Sequence, residues 1–186
     1  VPARGSDPET LFLITRDCKA YQIDPIKDQN RRILPERLFQ GASSLEKIES
    51  QPDGKTLLIQ GKSAKDQSPM YFLVDLSEPE AKVRFLKTIS ETRSKRFALH
   101  PTEKLVILVT GTNRIELWNL EQDDRVQELG GSNSHTSPVF DPTGKSVALV
   151  YESSFSITPL DGKKDPWTGP ETPGIKKIEW STLGLV

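Results

Sequence analysis

The sequence predicts an all-β fold of repeated four-stranded sheets, because one short turn motif recurs at nearly regular intervals. Its copies occupy residues 51–55, 100–104 and 141–145, with a weaker copy at 180–184, and each precedes an apolar run. Pro52 lies 49 residues before Pro101, and Pro101 lies 41 residues before Pro142. Repeats of about 40–45 residues with four strands each are the unit of a β-propeller. We therefore expect a propeller of about four four-stranded blades.

The residues between the turns have the pattern of strands and hairpins. Residues 105–109 are a continuous, largely β-branched run, which is typical of a strand buried on both faces. Residues 114–118 alternate, as expected of a strand with one face towards solvent. Gly111 and Asn113 between them can take the positive φ that a hairpin turn requires. Helical periodicity is scarce, and its best candidate, residues 42–49, fits a first blade strand equally well.

The chain length and its two ends leave the number of blades open. We expect residues 7–186 to form a single domain or a fragment of one, with blade boundaries near residues 41, 90, 131 and 170. Residues 1–6 resemble a protease-cleavage scar from an expression vector, so the natural sequence is expected to begin near Asp7.

In the predicted propeller, the N-terminal blade lacks its first strand. Residues 176–180 could supply it by pairing beside residues 11–15, which would close a small ring. A surplus strand at residues 183–186 favours part of a larger propeller, completed by another segment, a second copy or a partner. An unrelated all-β sandwich is the alternative fold.

Two of the repeats resemble those of WD40 proteins. The resemblance rests on residues 97–120, which end in Leu117-Trp118-Asn119-Leu120, and on the turn and strand at residues 142–148. The family's Gly-His pair is reduced to Gly130-Gly131, so the chain is identified as a divergent member whose blades depend on apolar packing. The resemblance implies a non-enzymatic scaffold for protein–protein interaction. Residues 70–76 also resemble blades of TolB-like proteins and of prolyl-oligopeptidase-type hydrolases, which implies the alternative of a gating domain within a larger enzyme.

The composition of the chain limits the classes of partner and the cellular compartments that we expect. The formal net charge of −1 makes general nucleic-acid binding unlikely in a chain of 186 residues. No apolar stretch reaches the length of a membrane span, and no signal peptide is evident. Cys18 is the single cysteine and cannot form an internal disulfide. These features favour an intracellular protein, in the cytoplasm or the nucleus.

Reactive side chains form no recognisable catalytic, cofactor-binding or metal-binding motif. His100 occupies a turn and is expected to be exposed, and His135 lies in a flexible connection. Neither has metal-ligand spacing to the other or to Cys18. We therefore predict that the protein is not an enzyme and needs no cofactor.

The features that could carry binding lie on the surface. Arg93, Lys95 and Arg96 form a basic cluster, and Trp167 is an aromatic residue in a segment rich in proline and glycine. Residues 61–70 read as a long polar insertion between strands, where recognition is often found. Arg93, Lys95, Arg96 and Trp167 are thus the predicted protein-binding residues, and a protein or peptide is the predicted partner.

Overall fold

The computed structural model divides into two compact units, Val1–Arg93 and Ser94–Val186. It describes residues 39–77, 81–94, 96–131, 138–151, 154–162 and 165–172, with shorter pieces at 3–4, 11–15, 20–24, 29–32, 175, 178–181 and 184–185. Apart from one helical turn, the regular structure of these residues is antiparallel β-sheet. The predicted all-β fold is therefore confirmed.

The first unit contains two four-stranded sheets, each with its strands in sequence order. The first sheet consists of β1 (Ala3–Arg4), β2 (Leu11–Ile14), β3 (Ala20–Asp24) and β4 (Gln29–Arg32). The second consists of β5 (Ala42–Ser50), β6 (Thr56–Ser63), β7 (Pro69–Asp75) and β8 (Lys82–Leu86), and α1 (Lys87–Glu91) follows it. One face of the second sheet carries a core around Phe39, Leu57, Ile59 and Phe72.

The second unit repeats this arrangement. Its first sheet consists of β9 (Arg96–Leu99), β10 (Leu105–Val109), β11 (Arg114–Asn119) and β12 (Asp124–Gly131). Its second consists of β13 (Val139–Phe140), β14 (Ser146–Val150), β15 (Phe155–Pro159) and β16 (Trp167–Thr168), and a two-stranded sheet pairs β17 (Trp180–Ser181) with β18 (Gly184–Leu185). Apolar side chains such as Ile107 and Leu117 pack the first sheet against Phe140 and Val147 of the second.

Three copies of the repeated turn, at residues 51–55, 100–104 and 141–145, share two backbone hydrogen bonds. The amide of its first residue donates to the carbonyl oxygen five residues later: Gln51 to Thr56, His100 to Leu105, and Asp141 to Ser146. A leucine after the third strand of the same sheet donates to the carbonyl of the turn lysine: Leu76 to Lys55, Leu120 to Lys104, and Leu160 to Lys145. The sequence repeat therefore specifies one local structure, a hairpin closed against its neighbouring strand.

The predicted WD40-like propeller is wrong. The strands form separate sheets, and within the described residues no strand pairing joins the first sheet to the C-terminal segment to close a ring. The strand beside β2 is β1, which belongs to the segment that resembles a cleavage scar, and Trp180 pairs with Leu185 instead. The physical reason is that proline and glycine turns followed by apolar runs specify antiparallel hairpins in many folds, and do not specify how the sheets are arranged.

Two local expectations are also resolved. The segment that fits either a helix or a strand is β5, and its backbone pairs with β6 from Ala42 to Ser50. Half of the expected polar insertion is strand, since Gly61 pairs with Met70 and Lys62 with Pro69. The loop between β6 and β7 therefore comprises residues 64–68 alone.

Candidate functional site

A groove opens at one end of the second sheet of the first unit, with a volume of about 370 Å³. We call it the basic groove. It is lined by the β6–β7 loop, by Phe85 of β8, and by α1 with the residues after it. Its lining residues are Ser63, Lys65, Asp66, Ser68, Pro69, Met70, Phe85, Lys87, Ser90, Glu91 and Arg93.

The β6–β7 loop forms the first wall and is held by its own hydrogen bonds. The amide of Ser63 donates to the carbonyl of Ser68 over 2.8 Å, and the amide of Ala64 donates to Gly41 over 2.7 Å. Gln67 has a φ of 59°, and its side-chain amide donates to the Ser63 carbonyl over 3.1 Å. These bonds fix the loop in one conformation against the sheet.

The second wall is α1 and the turn that ends it. The hydroxyl of Ser90 donates to the Leu86 carbonyl over 2.6 Å and accepts the Tyr71 amide of β7 over 3.0 Å. Ile89 is fully buried and anchors the helix to the sheet. The amide of Arg93 donates to the Ser90 carbonyl over 3.2 Å, with a φ of 53° at Arg93. Arg93 thus occupies the left-handed position that follows a helix, which glycine fills most often.

The floor of the groove is aromatic and apolar. The ring of Phe85 remains 44% exposed, although it packs on Phe72 with a centroid distance of 5.6 Å. Phe72 in turn contacts Phe39 edge-to-face at 5.2 Å, so the exposed ring packs on a buried ring that belongs to the core. Met70 and Pro69 complete the apolar surface. The floor is therefore rigid and presents an aromatic face to solvent.

Charge at the groove is mixed, with cations in excess. Lys65, Lys87 and Arg93 contribute three cationic groups, and Asp66 and Glu91 contribute two carboxylates. Asp66 is engaged within its own loop, because its Oδ1 accepts the Ser68 hydroxyl over 2.7 Å and the Ser68 amide over 3.2 Å. These bonds, with smaller contributions from Ser63 and the charge of Arg93, lower the pKa of Asp66 from 3.8 to about 2.

A second pocket lies in the other unit, between its two four-stranded sheets, with a volume of about 730 Å³. We call it the turn pocket. Leu105, Leu117 and Leu160 form part of its apolar wall, and Lys145 and Asp161 are among its charged residues. Its remaining lining residues are His100, Glu103, Val126, Gly144, Ser146 and Pro159.

His100 is 3% exposed, so the expectation of an exposed turn residue is wrong. Its Nδ1 accepts the amides of Thr102 and Glu103 over 3.2 and 2.9 Å, which places the ring proton on Nε2. Nε2 then donates to the Gly144 carbonyl over 3.0 Å. The ring is buried because it joins its own turn to the turn of the next sheet.

The predicted binding residues fall in different parts of the chain, and whether they bind a partner stays a prediction. Arg93 lines the basic groove, whereas Arg96 belongs to β9 in the second unit. Trp167 lies in the edge strand β16, is 54% exposed, and packs on Phe155 with a centroid distance of 5.5 Å. Lys95 lies outside the described residues, as do Cys18 and His135.

Sequence reasoning missed the residues that accompany Arg93 in the groove. Lys65, Lys87 and Phe85 come together through the pairing of β7 with β6 and β8, which the sequence pattern alone does not reveal. The sequence alone carries no signal that the Phe85 side chain is exposed.

The described part of the chain contains no group of three or more histidine, cysteine, aspartate or glutamate side chains arranged to hold a metal ion. Within the same residues, no helix has the length and apolar character needed to cross a lipid bilayer.

No protein family model and no curated protein sequence matches the chain. Among solved structures, it is similar to the crystal structure of an auxiliary nutrient binding protein from Bacteroides thetaiotaomicron, with a TM-score of 0.55 and 12% sequence identity. The match covers 98% of this chain and 44% of that chain, so this chain spans less than half the length of that protein. At this identity the likeness shows the fold alone. The similar structure is not a WD40 propeller, which is the second finding against membership of that family.

Proposed function

We propose that this protein is a non-enzymatic interaction module that binds a segment of a protein partner in the basic groove. The observation that carries the proposal is the Phe85 ring, which is 44% exposed at the floor of a groove bordered by three cationic side chains. Aromatic anchors in partly enclosed sites, surrounded by polar groups, are typical of the residues that dominate protein binding energy.

The rigidity of both walls supports this proposal. The loop at residues 64–68 is closed by the Ser63–Ser68 and Ala64–Gly41 bonds, and α1 is tied to β7 through Ser90. A partner segment would therefore bind without first ordering the groove, which reduces the entropic cost of association.

Selection from a random peptide library, displayed on phage and panned against the full chain, tests the proposal. We expect a convergent peptide whose affinity falls in Phe85→Ser and is unchanged in Val126→Ser. Val126 is a suitable control because it is 52% exposed and lines the turn pocket of the other unit, so a loss of affinity in Val126→Ser alone would assign the peptide to that pocket. Failure to select any convergent peptide, or equal binding to both variants, would refute the proposal.

A second candidate function is the binding of a small molecule in the turn pocket. Its volume of about 730 Å³ lies within the range of small-molecule sites. The similar solved structure is described as an auxiliary nutrient binding protein. A fold shared with that protein is compatible with the binding of a small molecule. Thermal-shift screening against sugars, amino acids and nucleosides tests it. A true ligand should stabilise the wild type and lose its effect in Leu160→Trp, which fills the pocket.

The other expectations from the sequence stay predictions. A gating role within a larger enzyme requires further protein. The greater length of the similar structure is compatible with it. The intracellular location stays a prediction as well.

A further inference from the structure

We propose that the basic groove selects an acidic, unfolded peptide whose carboxylates pair with Lys65, Lys87 and Arg93 around one apolar side chain on Phe85. This inference rests on the proposed function, and it adds the chemistry of the partner and the residue that determines specificity. That residue is Arg93.

The backbone of Arg93 is the first argument. Four described residues other than glycine have a positive φ: Gln67, Arg93, Asn113 and Asp123. Asparagine and aspartate tolerate this conformation, and the side chain of Gln67 stabilises its own loop through the Ser63 carbonyl. Among the described residues, the Arg93 guanidinium interacts with the charge of Asp66, but this is the smallest of the effects on that carboxyl, so it offsets little of the unfavourable conformation. An unfavourable conformation retained at a pocket wall points to a role for the side chain in that pocket.

The charges at the rim are the second argument. Lys65, Lys87 and Arg93 outnumber the carboxylates of Asp66 and Glu91, so the rim has an excess of one positive charge. The chain as a whole has a formal net charge of −1, so this excess is local. Complementary rim charges steer an oppositely charged partner and reject others. The groove is therefore complementary to carboxylates.

The floor is the third argument, because it separates a peptide from a simple anion. Phe85 and Met70 form an apolar surface between the two walls that bear the cations. Inorganic phosphate or a sugar–phosphate backbone would leave this surface unused. A leucine or an aromatic side chain between two acidic residues would cover it while the carboxylates reach the rim.

Fluorescence anisotropy on the full chain tests the inference. The probe is a labelled short peptide of aspartate and glutamate with one central leucine, and its isosteric control contains asparagine and glutamine. We expect the acidic peptide to bind about tenfold more tightly than the control, because charge-assisted contacts are lost in the control. The affinity should fall as salt is raised.

Arg93→Gly is the decisive variant, because glycine suits the backbone at this position and removes the cation. We expect about a tenfold loss of affinity for the acidic peptide with the thermal stability preserved. Asn113→Gly makes the same backbone change in the second unit, where φ is 59°, and should leave binding unchanged. Wild-type affinity in Arg93→Gly would overturn the inference.

The remaining outcomes separate this inference from the proposed function. Equal binding of the acidic and neutral peptides would overturn the charge selection and leave the interaction module intact. Competition by inorganic phosphate or single-stranded DNA at the concentration of the peptide would show a general anion site and overturn the peptide assignment. If library selection yields no peptide at all, the proposed function itself fails.

Discussion

The Nε2 atom of His100 lies 3.0 Å from the carbonyl oxygen of Gly144, and this contact joins the turns of two successive sheets. The sequence of the turn explains why a histidine is used. In the copies at residues 51–55 and 141–145, the fourth residue is a glycine with positive φ, Gly54 or Gly144, whose amide donates to the carbonyl of the first residue. Glu103 replaces glycine in the second copy, and its amide donates to the His100 ring instead. The same ring then reaches the next turn.

His100→Ala should destabilise the protein by about 2–3 kcal/mol, because two backbone amides and one carbonyl lose their partner at a buried site. His100→Asn is the matched variant, since its amide oxygen can still accept the Thr102 and Glu103 amides while the contact with Gly144 is lost. His100→Asn should therefore destabilise the protein less than His100→Ala does, and more than no substitution. Urea unfolding measures both, and a cost below about 0.5 kcal/mol for the alanine variant would contradict the assignment.

Gly144→Ala should be more costly than the same change at another left-handed glycine. A Cβ at residue 144 would lie 2.1 Å from the His100 ring, with φ at 75°, whereas a Cβ at Gly162 meets nothing within 4 Å, with φ at 65°. We expect Gly162→Ala to lower the free energy of unfolding by about 1 kcal/mol, from backbone strain alone. Gly144→Ala should lower it by about 3 kcal/mol, because the clash with His100 adds to the strain.

Combining Gly144→Ala with His100→Ala checks the source of that difference. The second substitution should remove the clash, so the cost of Gly144→Ala in that background should approach the cost at Gly162. Additive costs would mean that the two residues are not in contact.

Glu116 is a further buried group whose loss should be costly. It is 6% exposed, and its two oxygens accept Nε1 of Trp118 over 2.9 Å and Nη1 of Arg125 over 3.2 Å. Glu116→Ala should cost about 1–3 kcal/mol, because the buried indole N–H loses its partner. Glu128→Ala, which removes exposed ion pairs with Arg114 and Arg125, should cost less than about 1 kcal/mol in the same urea titration.

The stability of the β6–β7 loop should depend on pH because of the Asp66 carboxylate. Because the pKa of Asp66 is lowered from 3.8 to about 2, its contribution to loop stability is present above pH 3.8 and is lost as the pH falls through 2. An NMR titration of the carboxyl carbon should give a midpoint near 2. Ser68→Ala should raise that midpoint towards 3.8, and Arg93→Gly should raise it less, because hydrogen bonding to Ser68 is the larger cause.

Much of the secondary structure could be predicted from the sequence, because its signals are local. The run at residues 105–109 is β10, and the alternating run that follows is β11, with Asn113 at positive φ between them. The helix α1 could not be predicted. It is one turn long, and its N-cap, Leu86, makes no side-chain capping bond, so no capping signal precedes it.

The arrangement of the sheets and the composition of the groove depend on contacts that sequence spacing does not encode. Residues 51–55 and 141–145 specify turns, and turns alone suggested a propeller that the structure does not support. Arg93 could be picked out as part of a basic run. Its place in one groove with Lys65 depends on the pairing of β7 with both β6 and β8, which one sequence does not reveal.

The most direct test of the central claim is a footprint of the acidic peptide on the full chain by amide NMR. We expect the largest shifts at the basic groove, with Lys65, Phe85 and Ser90 among the residues that change most. Shifts concentrated at His100 and Lys145 of the turn pocket, or spread evenly over both units, would contradict the claim.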